Sequence, residues 1–591
     1  MRGRGTNIKE KPNDFLGSIK KLLVYNKSFT LLISISLILS ALSSIFAIIG
    51  PDKLKEITNI ITAGLKDTID MPSLNKVALL LLIIFTLSLV FDYLQGLIMS
   101  IVTAKFGRKV RKELNEKINK LPLSYFDKVT VGDVMSRVTN DVDTISNTLN
   151  QSLGTLVSAL TMFIGTLIMM FSINVTLSLT AILSTVIGFI IMFIIMGKSQ
   201  KYFDSVQNRL GDINGYIEEV YTGGSIVKVY NATDDSLNKF DSINDELFKN
   251  TFKSQFYSGL MHPIMNFISN FGYVAVCVVG AILTMNGVIK FGVIIAFMIY
   301  VRLFTNPLMQ FASAFTQLQG AAAASERVFD FLELEEMTSE DNYIKLDKDS
   351  VSGNLEFKHV KFGYDKDKLI IKDFSSKIKA GMKVAIVGPT GAGKTTIVNL
   401  LMKFYNVNSG DIIIDNTSIN SITRENVHDL FTMVLQDTWI FNGTIKENIR
   451  YNADVSDSTI EDVCNIVGLN HFVKTLPNGY DTILSDIDNL SLGQKQLITI
   501  ARSMVSDKPF LILDEATSSV DTRTEKLVTD AMDKLMVGKT SFIIAHRLST
   551  IKNADLILVI KDGNIIEQGN HFELLKLNGF YAELYNSQFM N

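Results

Sequence analysis

Cysteine is almost absent. The 591 residues contain two, Cys277 and Cys464, the first in an apolar run and the second in a charged half of the chain. Two isolated thiols exclude a disulfide framework and a cysteine-based metal site. An excess of one charge is lacking too: 57 Lys and Arg stand against 60 Asp and Glu, a net charge of −3. Nothing in that balance calls for a nucleic-acid-binding surface. A signal peptide is not expected either. The start, MRGRGTNIKEKPNDF, is basic and polar, and no short apolar core with a cleavage site follows it. It reads as a cytoplasmic tail.

Apolar residues are plentiful. They make up 47% of the chain, against 20% charged. The average hides two halves. Long apolar runs fill the chain to about residue 320, and a soluble pattern begins near residue 335. Six runs, near 29–49, 77–101, 155–172, 175–196, 263–285 and 288–310, are each long enough to cross roughly 30 Å of hydrocarbon as a helix. Runs three and four are separated by Ser172-Ile173-Asn174, and runs five and six by about Asn286-Gly287. The other connections, near 102–154 and 197–262, are long and basic, with Lys105, Arg108, Lys109, Arg111, Lys112, Lys198, Lys201 and Arg209. The positive-inside rule makes these loops and both termini cytoplasmic. The loops keep helical periodicity, so the membrane helices are expected to continue into the cytoplasm. A buried soluble core is the competing reading, but six runs with a matching charge asymmetry weigh against it.

Asp92 and Arg302 fall deep inside the spans. Each lies about 20 Å below the outer surface at the rise of a helix. Charges in lipid are costly. These two are expected to pair with each other, to face a water-filled path, or to serve as an ordinary structural pair or snorkelling groups.

The soluble half opens after an acidic connection, residues 335–352. LEFKHVKFGY and MKVAIVGPT read as strands. KVAIVGPTGAGKTTIVNLLMKF is a strand, a glycine-rich turn and a helix, and the turn matches the P-loop pattern through Gly388, Gly393, Lys394 and Thr395. Glycines let the backbone wrap phosphates and aim N–H groups at them. The helix N-terminus adds partial positive charge. Lys394 then reaches the β- and γ-phosphates, and the Thr395 hydroxyl ligates Mg²⁺. A second strand, PFLILDEATSSVD, delivers Asp514 and Glu515 to its end. Asp514 suits the metal, directly or through water, and Glu515 suits a general base on the attacking water. A third strand, TSFIIAHRLST, ends in His546, placed to contact a γ-phosphate. Gln436 in MVLQDTWIF is a weaker signal. Ser491 and Gln494 in NLSLGQKQL have capping-box spacing, with Leu492 at about the first helical position.

Taken in order, GPTGAGKTT (388–396), LQD (435–437), LSLGQ (490–494), LILDE (511–515), SSVD (518–521) and AHR (545–547) resemble the ABC transporter superfamily over essentially the whole chain. The resemblance is to exporters of the half-transporter kind. It implies an α-helical membrane domain, six long transmembrane helices with cytoplasmic extensions, followed by an α/β P-loop ATPase domain. The expected division is a tail and elbow helix at 1–28, a transmembrane domain at 29–330, a linker at 331–352 and a nucleotide-binding domain at 353–591. It implies an ATPase that uses ATP and Mg²⁺. Residues Gly388, Pro389, Thr390, Gly391, Ala392, Gly393, Lys394, Thr395 and Thr396 match its phosphate loop. Tyr364 matches the aromatic that stacks on adenine. Gln436 matches a Mg²⁺-sensing residue that couples to the membrane domain. Asp521 matches a residue that communicates across a domain dimer, and His546 the switch histidine. Ser491, Gly493 and Gln494 match the signature turn, which faces an ATP held by the other half. The loops near 123–135 and 220–230 match regions that dock on nucleotide domains.

One departure stands out. The usual signature is LSGGQ after a Glu-Arg-Gly segment; here Leu492 replaces a glycine and that segment is missing. With Glu515 intact, the combination resembles one half of a heterodimeric, multidrug-type exporter. A homodimer that tolerates Leu492 is the alternative. The expected work is ATP-driven export of a drug, lipid or peptide across the cell membrane. An ATP-gated channel or channel regulator on the same scaffold is the second reading. No peptidase segment precedes the spans, which points away from peptidase-containing peptide exporters.

Overall fold

The computed structural model describes residues 14–65, 68–340, 343–365, 368–435, 438–484, 490–514, 522–544 and 551–589. It divides into two compact units. One holds the chain up to Asn119 together with Thr130–Leu334, and the other holds Lys120–Val129 and Glu335–Asn591.

The first unit is helical. A short helix, Phe15–Tyr25, starts at Asp14, whose carboxylate accepts from the Gly17 N–H at 2.9 Å. Six helices long and apolar enough to cross a membrane follow: Lys27–Gly64, Met71–Lys120, Val131–Ile173, Val175–Thr222, Thr233–Met285 and Phe291–Leu332. Five contain an expected run whole, the sixth begins three residues inside its run, at Phe291, and most extend far beyond the run, as the periodicity of the loops suggested. The third and fourth meet at Asn174 alone. Its extended backbone breaks the helix, and its side chain accepts from the Leu177 N–H to start the next.

Polar residues stitch the unit together. The first spanning helix buries Ser36, Ser40, Ser43 and Ser44. Ser40 donates to the Gly154 carbonyl at 3.0 Å, and Ser43 to the Ser88 carbonyl at 3.0 Å. Small hydroxyl residues let helices approach closely and satisfy themselves where water is absent. The sixth spanning helix is the centre of the unit. Half of its apolar stretch is buried, against 6% for the second helix. Phe297, Tyr300 and Phe304 pack there with Met170, Leu177 and Val276, and the Tyr300 hydroxyl donates to the Ile48 carbonyl at 3.1 Å. Asp92 and Arg302 do not pair with each other. Both are exposed on this chain, and no ion pair joins them among the described residues.

The second unit is built on one ten-stranded sheet. Its strands are β1 Leu355–Phe362, β2 Ile371–Ile378, β3 Lys383–Val387, β4 Ser409–Ile414, β5 Thr417–Ser418, β6 Phe431–Val434, β9 Phe510–Asp514, β10 Thr540–Ile544, β11 Leu556–Lys561 and β12 Asn564–Gly569; β7 Gly443–Thr444 and β8 Ile483–Leu484 form a separate small ribbon. The order is β5-β4-β1-β2-β12-β11-β3-β10-β9-β6. Strands β11, β3, β10, β9 and β6 are parallel. They are nearly continuous apolar runs because both faces are covered. The β1, β2 and β4 group is antiparallel.

The connection at 335–352, read from sequence as plain and acidic, is pinned down in this unit. Ile344 pairs with Ile422, its N–H donating to the Ser421 carbonyl at 2.8 Å. Asn426 clasps the backbone of Leu346 from both sides, at 2.7 and 2.8 Å. Glu340 bridges Lys403 and Arg424, each at 3.1 Å, with Lys403 buried. Burial, helped by the nearby Arg424 charge, pulls the Lys403 ammonium down from its usual range, and Glu340 opposes that.

Candidate functional site: a phosphate cradle and a signature turn

Three parallel strands end at one edge. In register, Ile544 of β10 lies beside Ile386 of β3 and Asp514 of β9. The chain leaves β3 into Gly388 and the glycine-rich turn. It leaves β9 at Asp514 toward Glu515, and β10 at Ile544 toward His546. The carboxyl edge of a parallel sheet is where such folds place ligands. Glu515, Asp521, His546 and Gln436 themselves lie outside the described residues. Asp514 is half-buried at the strand end.

The turn is shaped by glycine where glycine is required. Gly391 and Gly393 sit at φ 84° and 106°, in the left-handed region that side chains avoid. A Cβ on Gly388 would lie 2.3 Å from the Ile560 carbonyl oxygen, and one on Gly393 would lie 2.6 Å from Ile371 Cδ1. The Lys394–Leu401 helix starts from Gly393 with no side-chain cap. Its first N–H groups are therefore not taken by a neighbouring side chain, the condition for an anion-binding helix end. Lys394, 9% exposed, curls over the loop; its Nζ donates to the Gly388 carbonyl at 2.8 Å and the Pro389 carbonyl at 3.2 Å. Pro389, Thr390 and Thr395 are exposed, and Ala392 and Thr396 are buried. The result is a cradle with a held ammonium, exposed hydroxyls and uncapped amides, suited to a polyphosphate.

Tyr364 stands beside this cradle, 42% exposed. Its hydroxyl lies 3.4 Å from Thr396 Oγ1 and accepts from Asn399 Nδ2 at 3.1 Å. Its ring packs edge-on against Phe362 and Tyr405. Asn399 and Tyr405 were not singled out from the sequence. Asn399 is one polar residue on the helix after the loop, and no local pattern tells that it reaches back to strand-end Tyr364. Tyr405 hydrogen-bonds the Asp127 carboxylate, and burial, seconded by that bond, pushes its hydroxyl pKa up.

The signature turn forms the expected box. Ser491 Oγ accepts from the Gln494 N–H at 3.2 Å, and Gln494 Oε1 accepts from the Ser491 N–H at 2.8 Å. The helix runs Leu492–Ser506, so Leu492 is its first residue. Leu492 is 39% exposed, while Gly493 is buried. The side chain of Leu492 thus projects beside the helix start, where a glycine would leave open space.

Known proteins match this layout. Residues 33–308 match the family model described as ABC transporter transmembrane region, and residues 371–518 match the one described as ABC transporter. Among curated relatives, an uncharacterized ABC transporter ATP-binding protein of Bacillus subtilis, YfiC, is 37% identical over 588 residues, covering 99% of this chain and 96% of the relative. A fatty acid ABC transporter ATP-binding/permease protein of Mycobacterium bovis is 40% identical over 518 residues, 87% of this chain and 82% of the relative. A probable multidrug resistance ABC transporter ATP-binding/permease protein of Bacillus subtilis, YheH, is 32% identical over 508 residues, 85% and 75%. None of the three is described as a channel, so the channel reading gains no support. The chain belongs to the ABC transporter superfamily, as an exporter-type half-transporter: a multi-pass membrane protein with a fused ATPase that works as a dimer and couples ATP hydrolysis to transport.

Proposed function

We propose that this chain exports an amphipathic, lipid-like substrate across the cell membrane as one half of a heterodimer, its termini and ATPase domain cytoplasmic. The observation that carries the pairing is Leu492, exposed at the start of a helix whose capping box is otherwise intact. In this reading Gly388–Thr396 hold the ATP phosphates, and Tyr364 lies against adenine. Thr395 and Asp514 hold Mg²⁺, with Gln436 sensing it. When bound, the ion neutralises charge on the phosphates. The exposed Thr395 hydroxyl and the half-buried Asp514 carboxylate are hard oxygen donors, which suits that ion. Glu515 takes the proton of the attacking water, and His546 steadies the γ-phosphate. The second chain supplies the signature turn that completes this site. In return, Ser491, Gly493 and Gln494 face an ATP on the second chain, with Asp521 at the seam. Leu492 crowds that second site and slows it.

ATP drives the cycle because it binds the closed pair of nucleotide domains better than the open pair. The substrate class rests on the fatty acid transporter among the relatives and on the apolar spans. The test is a vesicle assay with the assembled pair. Glu515→Gln is expected to keep ATP binding and to cut hydrolysis by roughly 10²–10⁴-fold, the worth of a general base. Fast turnover in that variant would show that the base is another group.

A further inference from the structure

The sixth spanning helix, Phe291–Leu332, carries a face that changes character about a quarter of the way along. Arg302, Asn306, Gln310, Ser313 and Gln317 are all exposed. At 3.6 residues per turn they fall within an arc of about 80°. Ile295 and Ile299 fall on the same arc closer to the helix start, and both are half-buried. Arg302 marks the switch, about 16 Å from the helix start at Phe291. From there the polar stripe runs roughly 22 Å further along the helix, to Gln317. The opposite faces of the same helix, at Phe297, Tyr300, Val301 and Phe304, are buried in the core of the unit.

A guanidinium with no ion-pair partner among the described residues, about 16 Å along a spanning helix, is too costly to leave facing lipid. Nor does Asp92 meet it within this chain. The stripe below it offers amide and hydroxyl groups that hold water. Gln317 already uses its carbonyl oxygen to accept from Ser152 Oγ at 2.9 Å, which fixes the lower end of the stripe. The guanidinium is a fork suited to carboxylate or phosphate oxygens. An anion seated there has polar surface on one side along the helix and aliphatic surface on the other.

We propose that this stripe lines the substrate path from the ATPase side, and that Arg302, at its inner end, binds the anionic head of a single-chain amphiphile, with Ile295 and Ile299 against its tail. The proposal rests on the export reading above and names the substrate class of that activity. Carboxylate and phosphate monoester heads share the chemistry that Arg302 recognises.

The experiment uses the assembled transporter in nanodiscs, with laurate, dodecyl phosphate and uncharged dodecanol as probes. Stimulation of ATP turnover is read against probe concentration. Wild type is expected to respond to one or both anions at lower concentration than to dodecanol. Arg302→Gln is expected to raise the half-maximal anion concentration by about tenfold or more, the worth of one charge-assisted hydrogen bond, and to leave the dodecanol response unchanged. Arg302→Lys is expected to restore part of the anion response. A variant that shifts all three probes equally, or none, overturns the Arg302 assignment. So does the alternative occupant: if Arg302→Gln and Asp92→Asn each weaken assembly of the two halves by size-exclusion chromatography, Arg302 pairs with the second chain. Wild type stimulated by dodecanol but indifferent to head charge overturns this inference alone. Wild type stimulated by none of the probes, with none moved into vesicles, overturns the amphiphile-export reading itself.

Discussion

Two helices in the ATPase unit begin in opposite ways. The Lys394–Leu401 helix starts from a left-handed glycine with no side-chain cap, and its lysine is held over the loop. The Leu492–Ser506 helix starts from Ser491 in a closed capping box, with an exposed leucine as its first residue. Both ends carry the same partial positive charge. The first leaves its amides uncapped inside a glycine cradle, so it is built around a ligand. The second is ordered by its own side chains before any ligand arrives, and it presents bulk. One chain therefore carries a helix end left open within a glycine cradle and another closed by its own side chains behind an exposed leucine.

Removing the cradle's charge should have the largest effect. Lys394→Ala is expected to lower phosphate release from ATP by roughly 10²–10³-fold, the usual loss when one preorganised charge partner is removed. Near-normal release would erase the distinction between the two helix ends. A smaller effect is expected from the backbone. Gly393→Ala must place a Cβ at φ 106° and against Ile371, and it should cost about 1–3 kcal/mol of stability in a denaturation series. Smaller again is Ser491→Ala. It removes the cap and should cost about 1 kcal/mol, with little loss of hydrolysis at the chain's own cradle. If Ser491→Ala were the costlier change in turnover, the signature end would be the one that limits this chain.

Much of this contrast was legible in the sequence because its causes are local. A capping box is a three-residue spacing, a P-loop is a nine-residue run, and a span is a stretch of hydropathy. Six spans, the extended helices and the Ser491–Gln494 box followed from those signals. What was not legible depends on residues far apart in the chain. Glu340 finds Lys403 and Arg424 across more than sixty positions, so an acidic connection that reads as a loose linker is in fact held by a partly buried ion cluster. Tyr364 meets Asn399 and Tyr405 only because the fold brings the turn after β1 back to the residues that follow the P-loop. Asp92 and Arg302 sit at matching depths, and depth alone suggested a pair that their directions do not make.

The smallest effect concerns Cys464. Burial pushes its thiol up to about 11, so at pH 7 the thiolate is scarcer than in an exposed cysteine. Maleimide should label it slowly in the folded chain and readily after unfolding. Rapid labelling of the folded chain would show that the helical layer around it opens, and with it the support of the Leu492 helix.

The central claim is that this chain's two half-sites are unequal and that a second, different chain completes them. The most direct measurement is ATP turnover by this chain purified alone, beside the same chain assembled with its second half. Slow turnover alone, a marked rise on assembly, and loss of that rise with Glu515→Gln are expected. Robust turnover and substrate transport by this chain alone would contradict it, and would mean that two copies tolerate Leu492 at both sites.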